Sequence, residues 1–110
     1  MSGDSPVVEG RSLLEAVRGI VAEVLMVPRD SVHADSALVA DLGAESIDFL
    51  DLTFRLEEIL GKKIPTARWD AFVTERLPGA DLSRAITTAV VVEFAERERD
   101  RAAGTAPATG

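Results

Sequence analysis

Apolar residues recur along this chain at helical rather than strand spacing. Leu13, Val17, Ile20, Val21 and Val24 follow one another in steps of one, three and four residues, which predicts an amphipathic helix. Ser12-Leu13-Leu14-Glu15 has the form of a capping box, so the helix is expected to start there. Pro28 predicts its end near Met26, and Glu15, Arg18 and Glu23 fall on the opposite face. Residues 27–45 form a long connection with Pro28, Asp30, Ser31, Asp35, Ser36 and Gly43, pinned by Val32, Leu38 and Leu42. A second helix is predicted from Ser46 to Leu60, stopped by Gly61. Ile64-Pro65 reads as extended, Thr66 caps a short helix holding Trp69, Phe72 and Val73, and Pro78-Gly79 breaks the chain. The last helix is predicted from Asp81 to Arg101, with Leu82, Ile86, Ala89, Val90 and Phe94 inward. Its charged end, Glu93 to Arg101, places opposite charges three and four apart and reads as a solvated face.

No segment alternates convincingly at two residues, and Val90-Val91-Val92 sits inside a helical pattern. The expected fold is all-α: a small bundle of three main helices plus a short helix, with a long loop between the first and second. Residues 1–11 are expected to be a flexible N-terminus, 12–101 the domain, and 102–110 a disordered tail rich in Ala, Thr, Gly and Pro.

The second helix carries more apolar surface than a core needs. On a wheel of about 100° per residue, Phe49, Leu52, Leu56, Ile59 and Leu60 fall within an arc of roughly 100°. Ile47, Leu50 and Phe54 form a second stripe roughly opposite, flanked by Asp51 and Glu58 on one side and Glu57 on the other. Two readings stand. Either the long loop or the short helix covers the second stripe, or it is an exposed strip rimmed with carboxylates that docks a partner.

Composition narrows the choice of partner. Nineteen acidic residues against twelve basic ones give a formal net charge of -7. Such a field repels nucleic acid and attracts basic proteins. The acidity is concentrated from Asp41 to Leu60, where Asp41, Glu45, Asp48, Asp51, Glu57 and Glu58 face a single base, Arg55. There is no Cys, so neither a disulfide framework nor a thiolate metal site is expected. The sequence shows no signal-peptide pattern, and no apolar run approaches the roughly 20 residues that span a bilayer. A monomer in the cytoplasm is the expectation.

Ser46 stands where the long loop becomes the second helix. Ser is a favoured N-cap, and on position alone capping explains it. Residue 49 is Phe, however, so the reciprocal half of a capping box is absent, and Glu45 equally suits the cap. A hydroxyl there has a second use, because the first-turn N–H groups and the helix dipole favour an anion. Asp41, Glu45 and Asp48 weaken that benefit. They read as solvated surface acids, with help in holding a modifying enzyme's divalent ion as the lesser alternative.

Asp41-Leu42-Gly43-Ala44-Glu45-Ser46-Ile47-Asp48 resembles the phosphopantetheine attachment motif of acyl carrier proteins, D-L-G-x-D-S-L. The resemblance runs back through Leu38 and the first helix and forward through Glu57 and Glu58 to Ile64-Pro65. It spans about residues 12–66. It implies a 4′-phosphopantetheine arm, derived from coenzyme A, on Ser46, holding acyl groups as thioesters. It implies a carrier rather than an enzyme, with the chemistry left to the arm and to partner enzymes. Those partners are a phosphopantetheinyl transferase and ketoacyl synthase and acyltransferase-type enzymes with basic docking surfaces. By matching positions, docking falls on Ile47, Asp48, Leu50, Asp51, Phe54, Glu57 and Glu58, the strip that the wheel also singles out.

Two conservative departures, Glu45 for Asp and Ile47 for Leu, bear on which partner docks. Residues 61–80 exceed the length usual in fatty-acid carriers. Asp48-Phe49-Leu50-Asp51, Lys63-Ile64-Pro65 and Trp69 resemble the specialised carriers that supply very long acyl chains for lipid A. An acyl chain needs apolar volume, for which Leu42, Phe54, Ile59, Ile64, Trp69 and Phe72 are the candidates. Trp69 and Phe72 also read as plain core packing, which is compatible with lining if the core opens to admit the chain.

Other classes fit worse. A serine hydrolase needs a base, and the only His is His33, in the long loop; with Asp at position 48 there is no G-x-S-x-G elbow. Metal enzymes lack suitable His or Cys ligands. The remaining alternatives are a carrier domain of polyketide or peptide synthesis and a helical adaptor in which Ser46 only caps.

Overall fold

The computed structural model describes the backbone of residues 10–108 and the side chains of 13–101. It contains α1 (Gly10–Leu25), α2 (Ser46–Leu60), α3 (Thr66–Arg76), α4 (Leu82–Ala85) and α5 (Thr88–Ala108), with a 3-10 turn at Arg29–Ser31. No strand occurs among the described residues; Ala37 and Thr87 form one isolated bridge. α1 packs against both α2 and α5. Its predicted stripe is the centre of the core: Leu13, Val17, Ile20 and Val21 are buried with Leu52 and Leu56 of α2 and Val91, Phe94 and Ala95 of α5.

The ends of α1 differ from expectation. It begins at Gly10, so Ser12 lies within the first turn rather than at the cap. The carboxylate of Glu15 accepts hydrogen bonds from Arg18 at 3.1 Å and Arg29 at 2.8 Å. That pair ties the helix to the turn at Arg29–Ser31. Arg18 Nε also donates to the carbonyl of Val32 at 2.7 Å. The helix ends at Leu25, with Met26 left-handed (φ 58°) and the Val27 N–H closing back on the carbonyl of Ala22. The flexible N-terminus expected over 1–11 lies outside the described residues up to residue 9, while Gly10 and Arg11 are helical.

The predicted last helix is two helices. Asp81 caps α4, its Oδ1 accepting from the Ser83 N–H and hydroxyl. The chain is then extended through Ile86-Thr87 before α5 begins. The long loop explains the break, because its backbone groups need partners. Leu38 N–H donates to the Ile86 carbonyl, Thr88 N–H to that of Ser36, and Ala89 N–H to that of Ala34, at 2.9–3.1 Å. On the separate α4 axis Leu82 is exposed, and Ala89 at the start of α5 is exposed too, so neither points inward as predicted. At its far end α5 runs to Ala108. The tail expected to be disordered, 102–110, is thus helical in its backbone as far as residue 108, and residues 109 and 110 lie outside the described ones.

α3 is fastened over α2 and α5 by rings and charges. Trp69 stacks on Phe49 of α2 at 5.9 Å and meets Phe94 of α5 edge-on at 5.0 Å. Arg76 pairs with Glu93 at 2.7 Å, and Arg97 lies 5.1 Å over the Phe72 ring. Glu98 departs most from its reading as part of a solvated face. It is 1% exposed, and its carboxylate meets Lys62 Nζ at 2.9 Å, Arg68 at 3.4 Å and Arg101 at 3.7 Å. It therefore joins the α2–α3 connection and α3 to α5.

Candidate functional site

The loop ahead of α2 is built to present residue 46. Asp41 Oδ2 accepts the Ala37 N–H at 2.8 Å, and Asp41 N–H donates to the Ala37 carbonyl at 2.8 Å. Leu42 packs against the core half-buried. Gly43 takes φ 77°, a left-handed turn that a side chain would strain. Ala44 is buried, and its N–H reaches the Leu38 carbonyl at 2.8 Å. Four consecutive residues thus fix the direction in which the chain enters α2.

Glu45, not Ser46, is the N-cap of α2. Glu45 N–H donates to Asp48 Oδ2 at 2.8 Å in a capping box. Ser46 is the first helical residue and is exposed, and no hydrogen bond among the described residues engages its hydroxyl. The end of the helix is therefore satisfied without this serine. Its hydroxyl faces solvent on an anchored turn, a geometry that fits a phosphodiester-linked arm. Asp41 and Asp48 each spend a carboxylate oxygen on a backbone N–H. Among the described residues no group of three His, Cys, Asp or Glu is placed to hold a metal ion.

The second stripe of α2 is uncovered. Ile47 is 67%, Phe54 54% and Leu50 40% exposed. With Asp48 and Asp51 these three line a shallow depression of about 290 Å³ beginning one residue from Ser46. Asp51 lies 3.7 Å from Arg55, which also pairs with Glu23. Glu58 is exposed and unpaired among the described residues, whereas Glu57 is turned inward, its Oε2 accepting the Ile64 N–H at 2.7 Å. Glu57 thus braces the α2–α3 turn while still lining, with Phe54 and Glu58, a surface depression at the end of the strip.

Of the six candidate pocket residues, Leu42, Ile64, Trp69 and Phe72 share the hydrophobic core, whereas Phe54 and Ile59 are exposed. Ile64 and Phe72 are core, Leu42 packs under the loop, and Phe54 lies on the outer strip. Ile59 is 43% exposed, because it stands at the edge of the α2 stripe, past the contact line made by Leu52 and Leu56. An apolar cavity does exist between α2, α3 and α5, bounded by Phe49, Leu52, Thr53, Trp69, Val91 and Phe94 among others. Only Trp69 is shared with the sequence candidates. Phe49 and Val91 carried a signal, as apolar residues at helical spacing, but nothing local to mark them as neighbours. No helix among the described residues is long and apolar enough to cross a membrane.

Comparison with known proteins adds an independent finding. Residues 15–72, just over half of the chain, match the family described as Phosphopantetheine attachment site. A protein of Brucella melitensis biotype 1 named Acyl carrier protein AcpXL is 38% identical over 64 residues, 58% of this chain and 69% of that one. The AcpXL of Rhizobium meliloti is 36% identical over 61 residues, covering 56% and 64%. An Acyl carrier protein of Campylobacter hominis is 39% identical over 62 residues, covering 56% and 78%.

Proposed function

The chain belongs to the acyl carrier protein family, and from that premise we propose that Ser46 is the residue that carries its arm. The protein is a carrier of acyl groups on a covalent 4′-phosphopantetheine, which supplies the thiol on which they ride as thioesters. The observation that carries the assignment to Ser46 is its free, exposed hydroxyl at the head of α2, with the cap supplied by Glu45 and Asp48. Attachment joins the Ser46 oxygen to the phosphate of the phosphopantetheine part of coenzyme A, with the nucleotide part leaving and the hydroxyl proton passing to the transferase. In this reading the chain catalyses nothing itself. It works in the cytoplasm with a phosphopantetheinyl transferase, ketoacyl synthases and acyltransferase-type enzymes.

Docking falls on Ile47, Leu50 and Phe54 with Asp51 and Glu58. An apolar strip rimmed with carboxylates beside the attachment point suits basic partners that must reach the arm. The acyl groups we infer are long ones, supported by the AcpXL relatives and by a third helix held over an apolar cavity. Intact mass after incubation with coenzyme A and a broad-specificity phosphopantetheinyl transferase tests the central point. One phosphopantetheine is expected on the wild type and none on Ser46→Ala, with the helical content unchanged. Modification that persists in Ser46→Ala moves the site elsewhere. No modification by any transferase leaves a helical adaptor.

A further inference from the structure

Two hollows meet at one side chain. The apolar cavity between α2, α3 and α5 has about 10 Å³ of free space, enough for one water, and Phe94 forms part of its wall. A groove of about 70 Å³ between α3 and α5 also has Phe94 in its wall, beside Ala71 and Phe72. Phe94 is buried. Its ring stands 5.0 Å from that of Trp69, which lines only the cavity, and 5.3 Å from that of Phe72, which lines only the groove. The ring of Phe94 is thus the partition between them. Of the residues that line the cavity, Phe49 stands nearest to Ser46 in the chain, three positions on. With about 10 Å³ free, the cavity takes a short chain only as its walls give, and a long one only if Phe94 also turns.

We propose that the α3–α5 groove is a distal subsite for the acyl chain, opened when Phe94 turns aside, and that Phe94 sets the length of chain the protein shelters. The proposal rests on the carrier reading above and adds to it where a long chain goes. Ala71, Phe72 and Phe94 give the groove an apolar floor, and its walls and rim are charged, from Arg68, Glu75, Arg97, Glu98 and Arg101. Each methylene taken from water favours burial by about fourfold. The roof is Arg97, whose guanidinium lies over Phe72 and whose ion pairs with Glu75 and Glu93 are both 3.7 Å, surface contacts of little strength. It can swing away while its aliphatic stem still covers the chain. Arg68 and Glu98 line the same groove and bind α3 to α5, so the groove persists when the rings move.

The test loads wild type and variants with acyl-phosphopantetheine arms of eight and of eighteen carbons and follows thioester cleavage by hydroxylamine. Ala71 is exposed, so Ala71→Phe fills the groove from outside without disturbing the core. It is expected to speed cleavage of the eighteen-carbon thioester by about fourfold or more, the burial of one methylene. The eight-carbon thioester is expected to be unchanged. Phe94→Leu is expected to slow cleavage of the long thioester alone, and emission from Trp69, the only tryptophan, is expected to shift with the long chain and not with the short. Equal long-chain cleavage in Ala71→Phe and wild type overturns the distal subsite while leaving the carrier reading intact. Failure of the wild type to accept either arm overturns both.

Discussion

At Gly43 a hydrogen atom does what no side chain does comfortably. Its φ is 77°, and nothing stands within 4 Å of where a Cβ would lie. A substitution there strains the backbone without a clash. Gly43→Ala is expected to cost about 1 kcal/mol in urea unfolding, and Gly43→Asn less, since Asn tolerates the left-handed region better. Equal stability of all three would show the turn relaxing out of that conformation. Glu15 makes a different kind of test. The hydrogen bond from Arg29, followed by that from Arg18, holds its carboxyl below the ordinary value of 4.5. A lowered folded value adds stability that is present above pH 4.5 and disappears as pH falls through the folded value. The stability gap between wild type and Glu15→Gln is therefore expected to be widest near neutrality and to close in acid, as read by thermal melts across pH. Residue chemistry of this sort was half legible in the sequence. Asp41 and Gly43 stood out as a pattern. That one is a hydrogen-bond acceptor for Ala37 and the other a left-handed hinge is a matter of backbone geometry, as is the passing of the cap from Ser46 to Glu45.

At the scale of elements, the apolar stripes of α1 and α2 were legible because a helix's two faces follow from its own periodicity. What depended on distant partners was not. Glu98 sits in a charge run whose local spacing suits a solvated helix, yet its partners Lys62 and Arg68 lie 36 and 30 positions back in the chain. The break between α4 and α5 is likewise made by the backbone of residues 34–38. Removing the Glu98 carboxylate leaves Lys62 partly buried without its counter-charge. Glu98→Ala is expected to cost about 3 kcal/mol, since breaking a buried pair strands its partner. Lys62→Met in the same background is expected to recover part of that loss, because it removes the stranded charge. A double-mutant cycle by urea unfolding checks both. Additive losses would mean that Glu98 acts through Arg68 and Arg101 or through packing, and not through Lys62.

Across the whole molecule, the net charge of -7 is less informative than where the acids stand. Asp48 and Glu57 are spent on backbone N–H groups, while Asp51 and Glu58 flank the exposed strip. If steering is local to α2, Asp51→Lys with Glu58→Lys should slow phosphopantetheine transfer more than the same change in net charge made elsewhere. Asp70 on α3 and Glu96 on α5 supply that comparison, as Asp70→Lys with Glu96→Lys. The α2 pair is expected to lower the transferase's kcat/KM by about tenfold at low salt, a modest share of what charge steering can supply. The α3/α5 pair is expected to change it far less. The difference should vanish toward 1 M salt, where screening shortens to about 3 Å. Equal losses from both pairs would make the field of the whole protein, rather than this strip, the attractant. A loss from the α2 pair that survives high salt would place the effect in direct contact rather than in approach. Either result would leave Ile47, Leu50 and Phe54 to be tested as the apolar half of the surface, since their burial against a partner is insensitive to screening.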